Sequence, residues 1–171
     1  MEAGFPFSSI YLKSNAPTPF IADLQNSLEL YKIKVTNSSA EADITLEIVS
    51  EASDKQILAI SGAGQVREFQ LSYRVSLRAY DKQMNAWLPA DEITLQRSLT
   101  YDDAQILAKE QEETLIFRDM RSDAVQQVMR RLSRAKLRRD PADTVNAVIA
   151  PASGVAATNP AKEASTPNSA K

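Results

Sequence analysis

"EFQLSYRVSLRA", residues 68–79, sets the frame for the whole chain. Phe69, Leu71, Tyr73, Val75, Leu77 and Ala79 alternate with Glu68, Gln70, Ser72, Arg74, Ser76 and Arg78. Successive side chains of a strand point to opposite faces, so this two-residue period specifies a strand with one buried and one wet face. Such a strand belongs in an antiparallel sheet that is covered on one side only. Arg74 and Arg78 then read as solvated positions on the wet face.

The neighbouring segments extend the pattern. "SGAG", residues 61–64, holds two of the chain's four glycines and reads as a hairpin connection. Ahead of it, Ile44, Leu46 and Ile48 alternate with polar residues, and Ile57, Leu58 and Ile60 follow a polar stretch. Behind it, "DKQMNA" turns the chain into a strand from Trp87 to Tyr101 with Ile93, Leu95, Leu99 and Tyr101 inward. Arg97 interrupts that set, which predicts a rim position or a bend, and Trp87 reads as core or rim. Near the start, residues 8–13, "SSIYLK", read as a short strand.

Two segments carry a helical period. Thr18 is a suitable N-cap and Pro19 fits the first helical position, opening a helix over about 18–31. Its apolar stripe is Phe20, Ile21, Leu24, Leu28 and Tyr31. The second pattern runs from Ala104 to Leu137 through Leu107, Leu115, Phe117, Met120, Ala124, Val128, Leu132 and Ala135. A helix of that length measures roughly 50 Å, more than a small domain is wide, so one end is expected to project or bend. It finishes on Arg130, Arg131, Arg134, Lys136, Arg138 and Arg139, and Pro141 stops it.

The expected fold is α+β, with two helices packed on one face of a mostly antiparallel four-stranded sheet in the order β-α-β-β-β-α. The folded domain spans 8–139, after a leader of residues 1–7. Residues 140–171 are rich in Ala, Pro, Ser and Thr and poor in large apolar side chains, so a disordered tail is expected there.

Composition narrows the chemistry. The 171 residues carry a formal charge of −2 and contain neither cysteine nor histidine. Thiol nucleophiles, disulfides and histidine acid–base chemistry are thereby excluded, and a zinc site has lost its usual ligands. No apolar stretch reaches the length of a membrane-spanning helix.

In "LTYDDAQILAKEQEE", residues 99–113, the paired carboxylates Asp102 and Asp103 stand where a strand gives way to a helix. Capping accounts for them, because adjacent side chains diverge and anions favour a helix N-terminus. The glycines of "SGAG" match no phosphate-loop pattern. The basic helix end has two readings, a complement to the helix dipole and a contact for nucleic acid or anionic lipid; no aromatic residues are interleaved with it for base stacking, which lowers the nucleic-acid case. Lys109 is different. It is a cation in the first turns of a helix, where it opposes the dipole, with Glu112 and Glu113 in pairing range. Its two readings are a weak surface pair and a contact for an anionic ligand.

"RSLTYDDAQILAKEQEE", continued by "LIFRDMRSDAVQQVMRRL", resembles the lipopolysaccharide-assembly lipoprotein family LptE, also called RlpB. Gly4-Phe5 is similar to the family's residues after its lipid-bearing cysteine, and Ala3 stands in the cysteine's place. The resemblance spans residues 3–139. It implies a non-enzymatic protein of Gram-negative bacteria, without cofactor or metal, lipid-anchored at the periplasmic face of the outer membrane. Its implied partners are the β-barrel LptD, which it plugs, and lipopolysaccharide, which it helps deliver to the cell surface.

The family's lipopolysaccharide-binding lysine falls on Lys109. A second family cation falls near Gly62, where this chain has none, and Arg67 is the nearest candidate. One exposed lysine contributes only ~0.2–1 kcal/mol, so binding needs further cations or apolar contacts. The alternative is a stand-alone periplasmic lipid carrier. A plug requires a polar exterior, whereas a carrier requires an apolar cavity for acyl chains.

Overall fold

A computed structural model describes residues 4–136. The expected tail at 140–171, the last three residues of the expected domain and the first three of the leader lie outside the described residues. Strand β1 (Ser9–Ser14) leads to helix α1 (Pro19–Leu30), then β2 (Lys34–Thr36), β3 (Ile44–Ile60), β4 (Val66–Asp81), β5 (Ala86–Thr100) and helix α2 (Ile106–Ser133). Short 3-10 turns at Ser39–Glu41 and Asp103–Gln105 precede β3 and α2.

The sheet corrects the four-stranded expectation. It has five strands, ordered β2-β1-β3-β4-β5, and is mixed. β1 pairs in parallel with both β2 and β3, while β3-β4 and β4-β5 are antiparallel. β2 is three residues long, too short for alternation to announce it. A parallel pair also needs a crossover connection, and here α1 supplies it between β1 and β2.

The caps explain where α1 lies. Thr18 Oγ1 accepts from the Ile21 amide at 3.4 Å, and Pro19 occupies the first helical position. At the other end the Lys32 amide donates to the Glu29 carbonyl and the Ile33 amide to the Leu28 carbonyl. Lys32 adopts φ 61°, completing a Schellman cap whose apolar partners Leu28 and Ile33 are both buried. In the β3-β4 hairpin Gly64 takes φ 78°, a conformation that favours glycine, and its amide donates to the Ser61 carbonyl.

Both helices cover one face. Phe20, Leu24 and Leu28 of α1 and Met120, Ala124, Val128 and Leu132 of α2 pack on Leu46, Tyr73, Val75, Leu77 and Ile93. α2 begins at Ile106 rather than Ala104 and ends at Ser133. Its expected stripe is buried only from Met120 onward; Leu107 is 70% and Leu115 57% exposed. Arg97 marks no bend: it stays in the β5 ladder opposite Leu71, on the sheet's edge strand, and its half-exposed side chain reaches Asp123 of α2 at 2.9 Å. Tyr101 lies just past β5, edge-on to Phe69.

Lengths account for the uneven cover. At 1.5 Å per residue α1 is about 18 Å long, against about 58 Å for the seventeen residues of β3. β1 pairs with β3 only over Ile44–Ile48. Beyond the register shift that follows Ile48, β3 has β4 as its sole strand neighbour among the described residues, and this stretch carries Glu51, Asp54 and Lys55. Charges of this kind discourage edge-to-edge pairing.

Candidate functional site

The strand-to-helix corner of residues 99–113 sits at the sparsely covered end. The Asp102 carboxylate accepts from the Ala104 amide at 2.9 Å, so it caps the 3-10 turn ahead of α2, and Asp103 lies within that turn. This is local backbone chemistry, as expected of a helix start.

Lys109 projects from the first turns of α2. Its ammonium donates to Thr100 Oγ1 at 3.2 Å and to Glu112 at 2.9 Å, and its side chain is only 16% exposed. An ammonium has three donors, so one remains for a ligand oxygen. Glu113 pairs instead with Lys55 of β3, whose ammonium also lies 4.4 Å from the centre of the Phe69 ring. The second half of β3 is thereby tied to α2.

Arg67 shares this corner through the backbone. Its carbonyl accepts from the Tyr101 amide at 2.8 Å, next to the threonine that holds Lys109. Its side chain is exposed and has no ion-pair partner among the described residues. Sequence reasoning named Lys109 and Arg67, and the fold attaches both to consecutive residues of one strand end. It missed Lys55, whose role depends on a contact 58 residues away in sequence.

Large apolar side chains are exposed on the same elements. Ile57, Leu58 and Ile60 from the end of β3, with Ile106 and Leu107 from the start of α2, are large and at least half exposed or nearly so. Within residues 99–113, five carboxylates accompany one ammonium. The net charge of this stretch is therefore negative, and Lys109 is its one cation. The corner offers hydrogen-bond donors and apolar contact, a combination suited to holding an amphiphile.

The opposite sheet face, uncovered by either helix, is polar. Gln70 donates to Gln96 across β4-β5, Ser76 to Glu92, and Arg78 to Glu47. The Arg78 guanidinium holds the Glu47 carboxyl below the usual range, outweighing the cost of its burial, with Lys13 adding to the effect. Among the described residues, five surface grooves measure about 310–490 Å³ each. Among the described residues no group of acidic side chains is placed to hold a metal ion.

The family model LptE, described as lipopolysaccharide-assembly, matches residues 7–132. No curated protein matches the sequence. Among solved structures, an uncharacterized lipoprotein B from Nitrosomonas europaea is 36% identical, with a TM-score of 0.70, covering 77% of this chain and 85% of its own. The rare lipoprotein B of Shewanella oneidensis is 19% identical, with a TM-score of 0.65, over 82% of this chain and 98% of its own. A minor lipoprotein of Acinetobacter baumannii is 23% identical, with a TM-score of 0.65, over 80% and 100%. The last two are likenesses of fold.

Proposed function

The chain belongs to the LptE family of lipopolysaccharide-assembly proteins, and from that premise we propose that it is a non-enzymatic plug for an LptD-type outer-membrane barrel. In this reading the lipoprotein is lipid-anchored at the periplasmic face, with Ala3 standing where the family carries its anchoring cysteine. It helps pass lipopolysaccharide to the cell surface, and Lys109 and Arg67 contact the anionic part of that amphiphile.

The observation that carries the reading is the family match over residues 7–132. The polar uncovered sheet face supports it further. The lumen of a transmembrane β-barrel is itself polar, so a plug meets it with hydrogen-bonding groups rather than apolar ones. A carrier would need an apolar chamber, and the grooves among the described residues are open and of mixed lining.

Recovery from outer membranes tests the plug. An exported, tagged Ala3→Cys form should co-purify with a large β-barrel. Recovery without a barrel but with bound acyl lipid would instead favour the carrier.

Titration with purified lipopolysaccharide tests the corner. Lys109→Asp and Arg67→Glu should each weaken binding about fivefold, the scale of a single charge contact near the surface, and salt should weaken the wild type. Arg74→Asp, on the polar face, should do little. An equal loss from Arg74→Asp would replace the corner with a diffuse basic surface.

A further inference from the structure

The other end of the domain, where α1 and α2 both terminate, carries a surface that the lipopolysaccharide reading does not use. The Schellman cap turns Leu30, Tyr31 and Lys32 outward, leaving Leu30 82% and Tyr31 62% exposed. Phe5 stacks edge-on against Tyr31 at 5.5 Å and against the buried Phe7 at 5.7 Å, which holds the first described residues on this end.

Three grooves join here. Lys32, Phe5, Leu30 and Tyr31 line a groove of about 490 Å³, and the last three also line one of about 420 Å³ with Met129 and Arg130. Arg130 continues into a groove of about 490 Å³ shared with Arg131 and Arg134 over Leu88 and Pro89. Arg131 is paired with Asp91. Lys32, Arg130, Arg134 and Lys136 have no ion-pair partner among the described residues.

We propose that this end seats the domain on a membrane surface containing anionic phospholipid. An exposed leucine, an aromatic ring that can rest at headgroup level and a cluster of unpaired cations match an interface that is apolar below and anionic above. The backbone supplies an independent sign. Lys32 occupies the left-handed position of the cap, where glycine carries no steric penalty, so a cation stands there at a cost in stability. The surface is the far end from Lys109, and its occupant is a bilayer rather than a single delivered amphiphile.

Flotation of the full chain with vesicles of phosphatidylcholine, with and without phosphatidylglycerol, tests this. The chain should float with phosphatidylglycerol vesicles and lose that binding in high salt. Arg130→Glu and Arg134→Glu should each lower partitioning about fivefold or more, and Leu30→Ser about tenfold. Lys32→Gly should raise the melting temperature while weakening vesicle binding, a combination that damage to the fold cannot produce.

Because the chain has no cysteine, an environment-sensitive dye can be placed by Leu30→Cys or Leu58→Cys. Its emission should shift to the blue on vesicles only at position 30. Absence of flotation, equal binding to pure phosphatidylcholine, or an equal loss from Lys109→Asp would overturn the proposal. Because Lys109→Asp weakens lipopolysaccharide binding in the reading above, the two ideas fail separately.

Discussion

The two halves of β3 are nearly matched in apolar content and opposite in fate. Ile44, Leu46 and Ile48 are buried, whereas Ile57, Leu58 and Ile60 are more than half exposed. α2 divides in the same way, with Leu107 and Leu115 exposed and Met120, Val128 and Leu132 buried. Apolar composition does not separate these sets; coverage does. β1 lies against the first half of β3, with β2 beyond it at the sheet edge, and β1 does not pair with the second half. The uncovered half is left with apolar side chains, paired charges and a free strand edge, which suits a surface that must meet something else.

The sharpest way to break this comparison is to truncate one leucine in each half. Leu46→Ala should cost ~2–5 kcal/mol in chemical denaturation, because the site is fully buried and cannot collapse around the gap. Leu58→Ala and Leu107→Ala should each cost under about 0.5 kcal/mol. Similar costs in both halves would mean that the tip is packed in solution.

A smaller effect belongs to the junction between the halves. Glu51, just beyond the register shift after Ile48, accepts from Thr18 Oγ1 at 2.7 Å and from the Tyr73 hydroxyl at 2.6 Å. It joins the α1 cap to the centre of β4. Burial, followed by the hydrogen bond to Glu51, pushes the Tyr73 phenol well above its usual range, so it stays protonated and keeps donating. Glu51→Ala should cost ~1–3 kcal/mol, because it leaves the Tyr73 hydroxyl unpaired. The same change on a Tyr73→Phe background should cost less. Equal costs on both backgrounds would dissolve the coupling.

The smallest effect is a pH dependence confined to the covered half. Asp43 accepts from the Ser8 amide at 3.0 Å, the Ser8 hydroxyl at 3.0 Å and the Ser9 amide at 3.2 Å. The Ser8 amide leads in holding its carboxyl below the usual value of 3.8, with burial opposing. A carboxyl depressed on folding stabilises the native state above the unfolded value, and that contribution is lost as pH falls through the depressed one. Asp43→Asn should cost about 1 kcal/mol at pH 7 and flatten the loss of stability below about pH 4. An unchanged acid limb would assign that limb to other carboxylates.

Several elements were legible because their signals are local. The alternation of 68–79, the Thr18-Pro19 opening of α1, the glycine turn and the capping role of Asp102 each depend on residues a few positions apart. β2 was not legible, since three residues carry no period. The partner of Arg97 was not legible either, because Asp123 is 26 residues away. At the candidate corner, the residues of 97–132 carried the family resemblance that singled out Lys109, but nothing local tells that Thr100 and Glu112 hold its ammonium while Glu113 turns to Lys55.

Side-chain period, capping chemistry and the family-like motif were therefore set by the order of residues alone, because their physics acts within one turn or one strand. Which apolar residues are core was decided only by the tertiary structure, because burial depends on what lies above a strand. A helix of about 18 Å cannot cover a strand of about 58 Å, and so the same kinds of side chain became a core at one end and a surface at the other.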